Sequence, residues 1–393
     1  MLRLFDTGNR SVTEAAILCG LNFYSGYPIT PATEIAENMS RRLPLAGGYY
    51  VQGEDETAAL HMAVGASLGG MRAMTSTSGP GYVLYADPYG WAIGGEIPVV
   101  ILNAQRVGPV SGITGAPGQG EFYLSRYPTH GGNFETIVLA PEGVREAFAM
   151  TVEAFRLSER FRTPVTILAD QLVTDGWEAF EVPETREELE SLGLPLPDRA
   201  SHPGPDFYPD NTLIDVPPVV LGRGTGGACS DWTPTREGYD TEEIGEQMRH
   251  ARRLVGKVLD NRGLIDRSES VCLDDDPRLV LVSYGSPSRT VRRAVREARA
   301  RGLKVGAVRL RSLWPFQDKL FQAPGRDHLV VELNCDGQLV REVSRASGRE
   351  ARFLGRCGEL PKVSELLEAV TLLLDGKKID GGYWAEKHGG VFR

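Results

Sequence analysis

Residues 53–81 read GEDETAALHMAVGASLGGMRAMTSTSGPG. Three consecutive acids, Glu54, Asp55 and Glu56, open a segment in which Leu60, Val64 and Leu68 recur four apart. That spacing predicts a helix with its acids in the first turn, where the helix dipole favours negative charge. The run MTSTS at 74–78 predicts a short strand, and Ser78-Gly79-Pro80-Gly81 a turn beyond it. Helix, strand and glycine turn in that order form the repeating unit of a parallel α/β sheet.

The alternation continues in both directions. FYSGY (23–27), PVVILN (98–103), TIVLA (136–140) and PVTILAD (164–170) are short apolar runs bounded by turn formers. Between the last two, residues 141–158 place Val144, Phe148, Val152 and Phe155 on one helical face. Residues 1–177 therefore predict a doubly wound parallel sheet covered on both faces. Residues 178–265 are rich in Pro, Gly, Asp and Glu, with one charged helix near 242–259, and predict a long surface connection. Periodicity returns in RLVLVSYGS at 278–286, a helix over 288–301, KVGAVRLRSL, HLVVELN and a helix over 364–374. Residues 266–393 predict a second, smaller α/β unit.

The chain has 393 residues and a net charge of −9. That balance argues against nucleic acid or an anionic membrane as the main partner. No apolar run reaches the ~18 residues of a membrane span, and MLRLFDTGNRSVTEAA has no long apolar core of a secretion signal. A cytoplasmic protein is expected. Cys19, Cys229, Cys272, Cys335 and Cys357 form no CxxC or CxH pair, so neither an iron–sulfur cluster nor structural zinc is expected on this chain. Free, mostly buried thiols are expected.

Four constellations could carry chemistry. Gly26-Tyr27-Pro28-Ile29-Thr30-Pro31 is stiffened by two prolines and ends at a helix start, able to hold the Thr30 hydroxyl toward a ligand or to serve as a plain turn. Among the three acids, one turned into the Ala/Gly-rich interior would titrate high through desolvation and like charge. In Ser78–Gly81 the glycines allow close approach to a ligand, without the spacing of a phosphate P-loop. Asn103–Arg106 ends a strand, where an arginine can grip a carboxylate with two nitrogens. Beyond it, Val107–Asn133 reads as an irregular glycine-rich loop containing His130, a candidate proton donor or ligand.

Together these segments resemble the alpha subunits of 2-oxoacid:ferredoxin oxidoreductases, thiamine-diphosphate enzymes that convert 2-oxoacids to acyl-CoA. GYPITPATEI is similar to the family's YPITPxTEI, and EIPVVILNAQRVGPVSG to its EIPvVixxxQRxGPSTG. Residues 53–81 match its E-x-E…GAS…TSGPG block, and QGEFYLSRYPTHGG its Q-G-D/E…HGD segment. VSYGSPSRTVRRAV, RLRSLWPF and VVELNCDGQL resemble its transketolase C-terminal-like domain. The resemblance spans nearly the whole chain, is loose across about 180–265, and looks most like the 2-oxoglutarate branch.

The resemblance implies a pyrimidine-binding domain followed by the transketolase C-terminal-like domain. It implies that Glu56 shares a proton with the cofactor's aminopyrimidine. Thr30 and Arg106, with His130, would hold the substrate. Pro28, Ile29, Ser78, Gly79 and Gly81 would line the cofactor. GPVSG, HGG and the ADPYG segment at 86–90 depart from the family pattern. They fall along the substrate loop and leave pyruvate and other 2-oxoacids open beside 2-oxoglutarate. The chain lacks a GDG followed by a distant Asn, the magnesium–diphosphate motif of thiamine enzymes. Magnesium, the diphosphate-binding domain and a [4Fe–4S] cluster are therefore expected on a beta subunit, with a gamma subunit, ferredoxin and CoA as further partners. A non-catalytic scaffold of the same fold is the alternative reading.

Overall fold

The computed structural model describes residues 1–191, 196, 199–222 and 226–393. The first part of the chain forms β1 (Leu2–Thr7), β2 (Phe23–Gly26), β3 (Tyr49–Gln52), β4 (Ala73–Thr77), β5 (Val100–Val107), β6 (Ile113–Pro117), β7 (Ile137–Leu139), β8 (Val165–Asp170) and β9 (Trp177–Val182). The remainder supplies β10 (Glu269–Val271), β11 (Leu279–Tyr284), β12 (Val305–Leu310), β13 (Ser312–Trp314), β14 (Asp327–Glu332), β15 (Arg352–Gly355) and β16 (Val391–Phe392).

The larger sheet runs β13-β7-β8-β5-β4-β2-β3, with β6 paired to β5. Its strands from β7 to β3 are parallel. β4, β5 and β8 are buried along their whole length, as expected of strands covered on both faces. Helices Gly8–Leu18 and Val144–Phe161 share a core with one face. Helices Glu56–Leu68, Gly79–Leu84 and Ala86–Gly94 share a core with the other. The smaller sheet runs β10-β12-β11-β14-β15-β16 and packs helices Pro287–Ala300 and Val363–Leu374 on one face. Its other face meets Phe122, Val138 and Leu168 of the first sheet's layer. The doubly wound α/β reading holds.

Three expectations change. KVGAVRLRSL does not form one strand: β12 ends at Leu310, and β13 crosses to pair antiparallel with β7 of the larger sheet. The Trp314 indole donates to the Phe122 carbonyl at 3.1 Å and anchors the crossing. The loop 107–133 is not irregular throughout, since it contains β6 and the helix Phe122–Arg126. β6 is exposed except near Pro117, so it shows no apolar alternation, and Gly118 lets the chain approach Arg106 where a side chain would not fit. The cysteines are not mostly buried. Cys19 is buried, Cys229 is half-buried, and Cys272, Cys335 and Cys357 are exposed on turns and strand ends.

Residues 178–265 are tied to the first part of the chain at both ends, at the start through a separate two-stranded sheet. β9 pairs with β1, and the helix Ile244–Leu259 docks through Arg253 and Lys257 onto Glu96. Glu96 is fully enclosed, with Arg253 at 2.7 Å, Lys257 at 3.1 Å and Arg162 at 3.6 Å. Its backbone is left-handed (φ 50°), an uncommon state for a non-glycine residue. The three cations hold its carboxylate well below the usual range, against the cost of burial. No helix among the described residues is long and apolar enough to cross a membrane.

Candidate active site

In open α/β sheets, ligands lie beyond the carboxyl ends of the strands. β3, β2, β4 and β5 are consecutive neighbours, and the candidate residues follow or close them. Thr30 lies beyond β2, Glu56 beyond β3, Ser78–Gly81 directly after β4, and Arg106 at the last turn of β5.

The three acids separate by environment. Asp55 caps its helix, its carboxylate accepting from the Ala58 amide at 2.7 Å, and is exposed, as is Glu54. Glu56 turns inward and is 6% exposed. Burial, with the neighbouring Asp55 charge adding to it, raises the Glu56 carboxyl above its ordinary value. Its carboxyl and Thr77 Oγ1 fill the space above Gly81: a Cβ built there would strike both. Glycine at 81 is what lets Glu56 reach this position.

A second buried acid joins the group. Glu121, just before the helix Phe122–Arg126, lies against Gly79 and accepts from Gln105 Nε2 at 2.7 Å. Burial raises its carboxyl, partly offset by Gln105 and by the Arg106 charge. Arg106 is 6% exposed and reaches back to donate through Nη1 to the Thr30 carbonyl oxygen. Its Nε has no hydrogen-bond partner. Burial lowers the guanidinium below its ordinary value. Thr30 itself is exposed, and so is Pro28, while Ile29 is half-buried. Glu56, Gly81, Gly79, Glu121, Gln105, Arg106 and Thr30 thus form one continuous arc.

Two groups on this arc are prepared for a ligand. The Ser78 hydroxyl and both polar atoms of the Asn103 side chain are buried without a hydrogen-bond partner. Leaving such groups unpaired costs about 1–3 kcal/mol each. A polar heteroaromatic ligand seated at the turn could satisfy them. Together with a glutamate held toward its neutral form, they fit the aminopyrimidine of thiamine diphosphate.

His130 stands apart. Its Nε2 lies 3.7 Å from Asp87, which also faces His61 Nε2 at 3.4 Å. These side chains border a cavity of about 860 Å³ that none of Glu56, Arg106 or Thr30 lines. The structure brings together Thr30, Glu56, Gly79, Gly81 and Arg106, with Ser78 between them in sequence, and adds Glu121, Gln105 and Asn103, while Pro28 and Ile29 lie on the loop that leads to Thr30. Glu121 had a signal in QGEF, a lone acid two residues after the Gln119 that bonds Tyr284 and Leu333 across the sheets. Asn103 and Gln105 sit inside an apolar strand, where a buried polar side chain is itself the signal.

The chain matches the family described as pyruvate flavodoxin/ferredoxin oxidoreductase, thiamine diphosphate-binding, over residues 14–231. Residues 278–364 match pyruvate:ferredoxin oxidoreductase core domain II. It is 38% identical to the 2-oxoglutarate synthase subunit KorA of Methanocaldococcus jannaschii, over 93% of this chain and 98% of that protein. It is 32% identical to the ketoisovalerate oxidoreductase subunit VorB of Methanothermobacter thermautotrophicus, over 92% and 96%. Among solved structures it is similar to the 2-oxoglutarate:ferredoxin oxidoreductase of Magnetococcus marinus with 2-oxoglutarate, coenzyme A and succinyl-CoA bound. That match has a TM-score of 0.86 at 28% identity and covers 94% of this chain and 65% of that one. A split-gene transketolase, at 14% identity and a TM-score of 0.51, shares the fold. The buried glutamate at a glycine turn, the strand-end arginine and these matches agree: the chain belongs to the 2-oxoacid:ferredoxin oxidoreductase family, as an alpha subunit.

Proposed function

We propose that this subunit takes part in the CoA-dependent oxidative decarboxylation of a 2-oxoacid, 2-oxoglutarate first, with electrons passed to ferredoxin. The observation that carries this reading is the arc from Glu56 through Gly81 and Glu121 to Arg106 and Thr30. Thiamine diphosphate, when bound, supplies a nucleophilic carbon for the 2-oxo group and an electron sink for decarboxylation. Glu56 holds a proton at its buried carboxyl and exchanges it with the pyrimidine ring nitrogen. Ser78 and Asn103, whose buried polar atoms have no partner, would hydrogen-bond that ring. Arg106 receives the substrate carboxylate on its free nitrogens while Nη1 keeps the Thr30 loop in place. The Thr30 hydroxyl, which is not needed for that anchor, is left to hydrogen-bond the keto oxygen. A beta subunit completes the site with the magnesium–diphosphate domain and the [4Fe–4S] cluster.

The test is co-expression with the adjacent-gene partner, followed by viologen reduction with CoA and 2-oxoglutarate, pyruvate or 2-oxoisovalerate. The expected result is CoA-dependent reduction with the highest kcat/KM for 2-oxoglutarate. A complex that binds thiamine diphosphate and magnesium yet reduces no acceptor with any 2-oxoacid would refute the proposal.

A further inference from the structure

β14 and β15 are parallel neighbours with Glu332 opposite Gly355, and the Arg356 amide donates to the Glu332 carbonyl at 3.0 Å. Past Glu332 the chain folds over the end of β15. A Cβ on Gly355 would strike the Asn334 carbonyl oxygen, and one on Gly337 would lie 3.2 Å from the Phe353 ring. Cys335 follows β14 and Cys357 follows β15, so the two neighbouring strand ends carry the thiols on adjacent loops. Both are free and exposed. Partial burial, then the neighbouring Cys335 thiol, push the Cys357 thiol above its ordinary value.

We propose that Cys335 and Cys357 form a redox-modification site that a peroxide closes into an intrachain disulfide. The Cys335 thiolate attacks the peroxide: an S–O bond forms, the O–O bond breaks, and the leaving hydroxide takes up the proton that the Cys335 thiol gave up and departs as the first water. The Cys357 sulfur then attacks the sulfenic acid: the S–S bond forms and the S–O bond breaks. The Cys357 proton leaves with the hydroxyl as a second water. The thiols lose two electrons and two protons, and hydrogen peroxide is reduced to two waters.

The pair lies where the second sheet grips the approach to Glu121. The Gly358 amide donates to the Pro117 carbonyl at 3.1 Å, and the Gln119 amide to the Leu333 carbonyl at 2.8 Å. Asn334 Nδ2 donates to the Gln119 carbonyl at 2.8 Å. A disulfide would join the two loops that hold Pro117 and Gln119.

The experiment treats the full chain with hydrogen peroxide, then alkylates, digests without reduction and reads the peptides by mass. The expected product is a Cys335–Cys357 cross-linked peptide with two hydrogens lost, reversed by dithiothreitol, while Cys272 remains alkylatable. Cys335→Ser should abolish the cross-link and leave Cys357 alkylatable. Amide exchange at Gln119 and Gly358 should slow in the oxidised wild type and stay unchanged in peroxide-treated Cys335→Ser. The proposal is overturned if both thiols still alkylate after peroxide, if each is found as a sulfinic acid, or if the cross-link joins two chains.

Discussion

Gly81→Ala adds one methyl group at the point where two site elements meet. The new Cβ would stand 2.6 Å from Glu56 Cγ, and it would also strike the Glu56 carboxyl and Thr77 Oγ1. Carbon atoms rest at about 3.5–4.0 Å, so Glu56 must retreat by roughly 1 Å. Overpacking of this kind costs about 1–3 kcal/mol. Alanine in the helix Gly79–Leu84 returns roughly 0.5–1 kcal/mol of propensity, leaving a net loss of about 0–2.5 kcal/mol, centred near 1. The control is Gly65→Ala in the helix that begins with Glu56, where a Cβ would meet nothing within 4 Å. There the same change should stabilise by about 0.5–1 kcal/mol. Urea unfolding of the two variants reads this opposition of sign. In the assembled complex, a ~1 Å displacement of Glu56 should lower turnover about 100-fold for Gly81→Ala, with Gly65→Ala unaffected. A Gly81→Ala protein as stable as Gly65→Ala, or one with wild-type turnover, would refute the assignment of Gly81 as the space that Glu56 occupies.

Glu56→Gln should keep thiamine diphosphate binding within about tenfold but slow deuterium exchange at the cofactor's reactive carbon by about 10²–10⁴ in the assembled complex. Glu54→Gln, on an exposed acid, should exchange at the wild-type rate. Arg106→Lys loses the two-nitrogen grip, so KM for the 2-oxoacid should rise more than kcat falls. Thr30→Val retains the carbonyl that Arg106 holds, so any kinetic loss, about 1–3 kcal/mol if the hydroxyl has a buried partner, reports the hydroxyl alone. The Glu121 carboxyl is raised above 4.5 by burial, so the folded chain binds that proton more tightly than the unfolded one. Stability should therefore fall as pH rises from 4.5 toward the raised value. The Tm of Glu121→Gln minus that of wild type should climb over that range and then level off. Glu96→Gln removes the one anion among three buried cations and should cost about 3–5 kcal/mol, whereas Lys257→Met should cost less than ~1 kcal/mol by chemical denaturation.

The strands of the larger sheet were legible because burial on both faces writes them as apolar runs, as in PVTILAD. The helix Val144–Phe161 was legible for the complementary reason: Val144, Phe148, Val152 and Phe155 repeat at its period and are all buried. What pattern cannot carry is the identity of a partner. Val305–Leu310 and Ser312–Trp314 read as one apolar run, and only the three-dimensional position of β7 separates them. β6 escaped because its exposed residues leave no alternation. In the site, the order of Glu54, Asp55 and Glu56 did not itself say which acid turns inward, though the crowding said that one must. Glu121 stood in QGEF as a lone acid, but its place in the site was hidden because its pocket is made by Gly79 and Gln105, which are distant in sequence. Glu96 was hidden likewise, since its cations arrive from Arg162 and from a helix whose Arg253 and Lys257 lie 157 and 161 residues on.

The crossing of β13 has a mechanical consequence. Ser312 and Trp314 are stitched to Leu139 and Val138, and the Trp314 ring lies 5.0 Å from that of Phe122. Swinging the two sheets apart would tear main-chain hydrogen bonds and pull an indole out of a packed layer. Along this seam the two sheets are therefore pinned as one block. Access to the arc then lies along exposed edges such as residues 108–115 and across the strand ends, rather than through a hinge between the sheets.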